Sequence, residues 1–139
     1  MESQNVRIVQ RHIDEIINQN RAELIPEFYA DDVVYYDPFT EGKKGVGLKA
    51  LTDFIVATRD AFPDFHFDLE KIIGDGDTVA WYGRATGTHD GDFPGLPASH
   101  RPIDIPMCQI FKFNAEGKIN TLWVFTDSLG LVQQVGALG

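Results

Sequence analysis

Apolar residues recur at helical spacing early in the chain and at every second position later. Val6, Val9, Ile13, Ile16 and Ile17 alternate with Arg7, Gln10, Arg11, Asp14 and Glu15, which predicts a surface helix ending near Asn18–Asn20. A short helix follows over 22–29, with Pro26 in its first turns. Val33–Tyr36 reads as a strand stopped by Asp37-Pro38, and 42–47 as a loop. Leu48, Leu51, Phe54, Ile55 and Thr58 mark a helix running to about Phe62, where Pro63-Asp64 ends it.

From Phe65 onward the period is two. Phe65, Phe67 and Leu69 face one way, and Gly74-Asp75-Gly76-Asp77 makes a hairpin turn. Strands are predicted over 78–89, 103–113 and 118–127, with a Gly- and Pro-rich loop over 90–102. A last short helix starts at Ser128 and ends at Gly136. Helices first and antiparallel strands second give an α+β fold, a strongly bent sheet with helices on its concave face around a pocket.

Strand parity nominates the polar residues of that pocket. The row Val79, Trp81, Gly83, Ala85, Gly87 ends in His89. The row Ile103, Ile105, Met107, Phe111, Phe113 contains Gln109. The row Ile119, Thr121, Trp123, Phe125 ends in Asp127. If Lys112 faces Lys118, Ile103 sits opposite Asp127, and a symmetric return of the preceding loop sets His89 opposite Ile103 too. His89 and Asp127 then lie about 10 Å apart, two strand spacings, with Gln109 roughly 20 Å down the strand on a flat sheet. A bulge in either strand would undo this parity.

Each candidate also has a plainer reading. Asp127 precedes a helix and suits an N-cap worth about 1 kcal/mol. His89 opens the turn-like His89-Asp90-Gly91-Asp92, and Gln109 suits a satisfied core amide. His12 and His66 sit on polar faces and are expected in solvent, while His100 lies in the long loop.

Composition narrows the partners. The chain has 139 residues, 43% of them hydrophobic, which suits one domain over 1–139 that buries roughly 70% of its unfolded surface. With 21 acidic against 12 basic residues, the net charge of -9 disfavours nucleic acid and anionic membrane as partners. Cys108 is the lone cysteine, so no intrachain disulfide forms. No signal-peptide pattern or membrane-length apolar run is present, so a soluble, cytoplasmic protein is expected. Phosphate loop, dinucleotide fingerprint and nucleophile elbow are all missing, and the ligand-type residues at 89–92 are scattered by strand alternation, so no metal is expected.

Several segments together resemble the SnoaL-like polyketide cyclase family of the nuclear transport factor 2-like superfamily. They are Tyr36-Asp37-Pro38, Phe62-Pro63-Asp64, Gly74-Asp75 with Val79-Ala80, and Gly87-Thr88-His89-Asp90-Gly91-Asp92-Phe93-Pro94-Gly95-Leu96-Pro97. To these are added Gly117-Lys118-Ile119 and the tail from Trp123 through Asp127 to Gly136. The resemblance implies a cone-shaped α+β barrel with a deep apolar pocket and a homodimer formed through the sheet. It also implies an aspartate acid/base at Asp127, acting in an intramolecular aldol closure on a small hydrophobic carbonyl compound, with His89 in or near the pocket; His89 is then the candidate donor to the enolate. Ala98-Ser99-His100-Arg101 departs from the family's usual Thr-Gly pair before a basic residue, which leaves the substrate open.

The chemistry needs no cofactor. An apolar pocket raises an aspartate above its usual pKa of about 3.9 and makes it a usable base toward a carbon between two carbonyls. The expected lining is Gln109, Trp81, Trp123, Phe125, Met107, Tyr36, Phe54 and His100. The alternatives are a small-molecule binder with the same pocket and no chemistry, or a dehydratase or hydroxylase of the same fold.

Overall fold

The computed structural model describes residues 3–137. Residues 1, 2, 138 and 139 of the expected 1–139 domain lie outside the described residues.

Helix α1 spans Gln4–Arg11, with Ser3 Oγ accepting from Val6 N at 3.1 Å as its N-cap. It runs directly into a π-helical segment, His12–Asn18, where Gln19 N donates to Asp14 O and Arg21 N to Ile16 O. A single 3-10 turn, Ala22–Leu24, leads into α2, Ile25–Phe28, with Pro26 in its first turn as the sequence predicts. Strand β1 is Tyr29–Tyr36, and β2, Lys44–Val46, forms within the expected loop. Helix α3 is Leu48–Ala61. Strands β3, β4, β5 and β6 are His66–Asp75, Thr78–Thr88, Pro102–Phe113 and Ile119–Thr126. Helix α4, Ser128–Gln134, closes the fold, and Gly136 follows with φ 80°.

The sheet order is β2-β1-β6-β5-β4-β3. All neighbours are antiparallel except β1 and β6, which run parallel. The sheet is curved but does not close into a barrel: β2 and β3 remain its two edges. Its inner face packs against α1, the π-helical segment and α3, around a core that includes Val9, Ile16, Leu51, Phe62, Phe67, Trp81 and Phe111.

Two features of register decide what faces that interior. On β4 the expected parity holds: Val79, Trp81, Ala85 and His89 are buried, although Gly87, not His89, stands opposite Ile103. On β6 the parity fails. Lys112 pairs with Thr121 but Phe113 pairs with Ile119, so Asn120 is one residue too many and forms a bulge. Beyond it Leu122 and Val124 turn inward, while Trp123 stacks on Tyr36 at 6.1 Å on the outer face and Phe125 is 55% exposed. The β5–β6 register is Met107 opposite Thr126, not Ile103 opposite Asp127.

The second feature is the wide helical turn. A π-turn accommodates one residue more than an α-turn, so the buried stripe broadens to take in both His12 and Ile13. His12, expected in solvent, is 1% exposed.

Candidate functional site

Between the helices and the inner sheet lies a cavity of about 90 Å³. Its wall is dominated by Phe39, Phe54, Phe62, Phe65, Phe67 and Phe93, with aliphatic side chains from the core. The 90–101 loop contributes Phe93, whose ring packs on Phe39 at 5.5 Å and on Phe62 at 5.9 Å. That loop is pinned to the end of α3, because Asp90 N and Gly91 N both donate to Ala61 O at 3.0 Å. A Cβ at Gly91 would lie 2.3 Å from Asp60 O, so only glycine permits this approach.

The polar lining includes Asp37, His12, Tyr29, Gln109, Arg59 and Thr126. Asp37 directly follows β1 and is 5% exposed. Its row is Val33, Tyr35, Asp37, all buried, while the alternate Tyr36 faces out. Phe39 N donates to Asp37 Oδ1 at 2.8 Å, and Asp37 N donates to Lys43 O at 3.2 Å, which clasps the loop behind the carboxylate. Burial pushes the carboxyl up to about 6, opposed by the Phe39 N–H and the nearby Lys43 charge.

His12 and Tyr29 form a buried pair, with Tyr29 Oη and His12 Nε2 2.5 Å apart. The His12 ring is packed edge-on by Phe28, Tyr29 and Phe111. Burial drives the imidazole pKa down to about 3, so it is neutral at pH 7, and burial raises that of the Tyr29 phenol. Gln109 Oε1 accepts from Trp81 Nε1 at 3.0 Å. An indole N–H can only donate, so this bond fixes the amide with its oxygen toward Trp81 and leaves its NH₂ group to point elsewhere.

The residues nominated from the sequence divide sharply. Gln109, Met107 and Phe54 line the cavity. Trp81 is buried behind Gln109 and acts through it. Tyr36, Trp123 and Phe125 belong to the outer face of the sheet, because β1 turns Tyr36 outward and the Asn120 bulge reverses β6. His100 is exposed and its Nδ1 lies 3.0 Å from Asp90 Oδ1, held there by its own position in the loop. His89 is fully buried, but its ring stacks on Phe62 at 5.2 Å, one layer behind the cavity wall. Its Nδ1 meets Ser99 Oγ at 2.9 Å, and Nε2 has no partner among the described residues. Asp127 is exposed and accepts from Gly130 N at 2.8 Å, the N-cap geometry. It borders a shallow groove on the outer face beside Tyr82, Cys108 and Phe125, not the interior cavity.

Sequence reasoning missed Asp37, His12, Tyr29 and Arg59. Asp37 carried a legible signal, since Val33, Tyr35 and Asp37 form an apolar row ending in a carboxylate. Neither the π-turn that buries His12 nor the position of Arg59 has such a signature.

A sequence model of the SnoaL-like polyketide cyclase family matches residues 7–135. The fold superposes on the crystal structure of a protein from Jannaschia sp. CCS1 described as a SnoaL-like polyketide cyclase. The TM-score is 0.87 at 27% identity, covering 98% of this chain and 94% of that one. IdmH of Streptomyces antibioticus, described as a polyketide cyclase, gives 0.79 at 26% identity over 96% and 99% of the two chains. A protein of Acidithiobacillus ferrooxidans with the same description gives 0.85 at 25% identity over 100% and 99%. No curated protein matches the chain.

Proposed function

This chain belongs to the SnoaL-like polyketide cyclase family, and from that premise we propose that it catalyses cofactor-independent proton chemistry on a small hydrophobic carbonyl compound, with Asp37 as the acid/base. One observation carries the reading: a carboxyl with a pKa near 6 on the wall of a phenylalanine-lined cavity. A base poised near the working pH is the efficient one.

Asp37 takes a proton from a carbon flanked by two carbonyls. The enolate oxygen is received by the Gln109 NH₂. The carbanion carbon attacks a third, more distant carbonyl of the same molecule, which closes the ring, and the resulting alkoxide takes the proton back from Asp37. Tyr29 supplies a further donor. His12 Nδ1 has no partner among the described residues. In the tautomer with the proton on Nε2, His12 donates to Tyr29 Oη and the phenol O–H is free to turn toward the cavity. An aspartate base in an apolar site with a tyrosine donor is a known solution to enolisation.

The role that the family resemblance gave to Asp127 thus passes to Asp37, because Asp127 is committed to capping α4. The test is deuterium exchange at the activated methylene of ethyl benzoylacetate, followed by NMR. Wild-type protein should accelerate exchange, with a rate that rises through pH 6. Asp37→Asn should lose about 100-fold or more of that acceleration. If wild-type protein leaves exchange unchanged while the compound binds, the cavity is a binding site without chemistry.

The homodimer is proposed on the outer face of the sheet. Tyr82, Cys108 and Phe125 stand side by side across β4, β5 and β6, with Ala80, Ile110 and Trp123 forming a second apolar row. An exposed apolar patch of this kind is a mating surface. Phe125→Glu should convert a sedimenting dimer to monomer, and a wild-type chain that sediments as monomer refutes the pairing. No helix among the described residues is long and apolar enough to cross a membrane. A single cysteine without a disulfide is consistent with the cytoplasm as the proposed compartment.

A further inference from the structure

The cavity contains one cation that the proton chemistry does not use. Arg59 stands in the last turn of α3 and is the only lysine or arginine among the described residues lining the cavity. Its Nη1 donates to Ile17 O at 2.7 Å and to Phe65 O at 3.1 Å, which ties the π-helical segment to the turn after α3. These two bonds occupy both protons of Nη1. A guanidinium carries five N–H donors, so the fork formed by Nε–H and Nη2–H is left without a protein acceptor among the described residues.

Arg59 also has no carboxylate at ion-pair distance among the described residues; the Asp64 carboxylate, which feels its charge at longer range, spends both oxygens on Thr88. Arg11, Arg21 and Arg84 each pair with a carboxylate within 3.3 Å, but Arg59 makes no ion pair among the described residues. Its polar neighbours on the wall do not fill the role of counter-ion. Thr58 Oγ is spent on Phe54 O at 2.9 Å, and Asn20 is an uncharged amide.

We propose that the ligand of this cavity is a ring-bearing carboxylic acid, its carboxylate received by the open Nε/Nη2 fork of Arg59 and its ring held among the phenylalanines. This rests on the reading of the cavity as the functional site and adds the class of compound it accepts. A planar guanidinium matches a carboxylate with two parallel hydrogen bonds. The acidic surface repels anions at long range, so admission of an acid requires a fixed local cation, and low-dielectric walls strengthen the pairing.

The experiment titrates the full chain by calorimetry at pH 8 with 1-naphthylacetate and its neutral isostere 1-naphthylacetamide. The acid should bind at least tenfold more tightly than the amide, and the gap should narrow as salt is raised. Arg59→Gln should abolish the gap, and Arg59→Lys should retain part of it. Equal binding of acid and amide by the wild-type protein overturns the proposal, as does failure of both to bind or a preference that survives in Arg59→Gln. Should Arg59→Gln fail to fold, having lost the ties to Ile17 and Phe65, the wild-type comparison and its salt dependence decide alone. An acid preference without accelerated exchange keeps this inference and removes Asp37 chemistry; the converse result does the opposite.

Discussion

Asp37 and Asp127 occupy matching places in the sheet. Each directly follows the last residue of a strand, and the two strands, β1 and β6, run side by side in the same direction, with Tyr36 opposite Trp123. Each ends an alternating row that looks apolar in the sequence. Yet one carboxylate is buried on a cavity wall with its pKa near 6, and the other is exposed and tied to a helix N-terminus. The difference arises in the strands. β1 keeps its alternation from Val33 to Asp37, whereas β6 absorbs an extra residue at Asn120 and delivers the opposite row to the interior. A carboxylate at the end of a strand therefore acquires its chemistry from the parity that precedes it, counted through any bulge.

The sharpest way to break this comparison is to measure both aspartates in one exchange assay. Asp37→Asn should cost about 100-fold or more, while Asp127→Asn should stay within roughly threefold of wild type. The reverse ranking would return catalysis to the end of β6.

Acid titration tests the interior next. His12 has a folded pKa of about 3 against 6.5 when unfolded, so the unfolded chain takes up a proton first and stability falls as pH drops from 6.5 toward 3. Asp37 works in the opposite sense. Its folded pKa of about 6 lies above the unfolded 3.8, so the folded state is favoured by protonation as pH falls through 6 and penalised above it. The two offset in the wild-type protein. His12→Gln should therefore be more stable relative to wild type at pH 4.5 than at pH 7.5, by about 2–3 kcal/mol. Urea unfolding at the two pH values measures this, and an equal difference at both would mean that the imidazole is not held neutral.

The smaller effects separate the two aspartates by stability. At pH 8, Asp37→Asn should gain about 2 kcal/mol, because the amide keeps the bond from Phe39 N without the buried charge. Asp127→Ala should lose about 1 kcal/mol through its missing cap. Thermal melts of the two variants should move in opposite directions, and a shared direction would refute the contrast.

Most of the architecture was legible in the chain. Helix α3 ended where Pro63 required it, the hairpin turned at Gly76, and β4 placed Trp81 and His89 inside as alternation predicted. Gln109, Met107 and Phe54, which the strand rows and the helical stripe nominate, line the cavity. What was not legible came from single extra residues. Asn120 in β6 and the wide turn at His12–Asn18 each shift a periodic pattern by one place, and neither changes composition or propensity. Arg59 was hidden differently, since a basic residue in a last helical turn reads as ordinary dipole compensation until its neighbours are known. Asp37 is open to the same row argument as Asp127, but the proline that follows makes the pair read as a strand terminator.

The wide turn between α1 and Asn18 has a genealogical side. The wide turn absorbs the extra residue, so deleting one there would let the helix wind at ordinary pitch with both halves keeping their faces toward the sheet. A one-codon deletion is thus expected to narrow the buried stripe that now takes in both His12 and Ile13. Closely related chains can be expected to differ in the length of this helix more abruptly than in the residues around the hollow it borders.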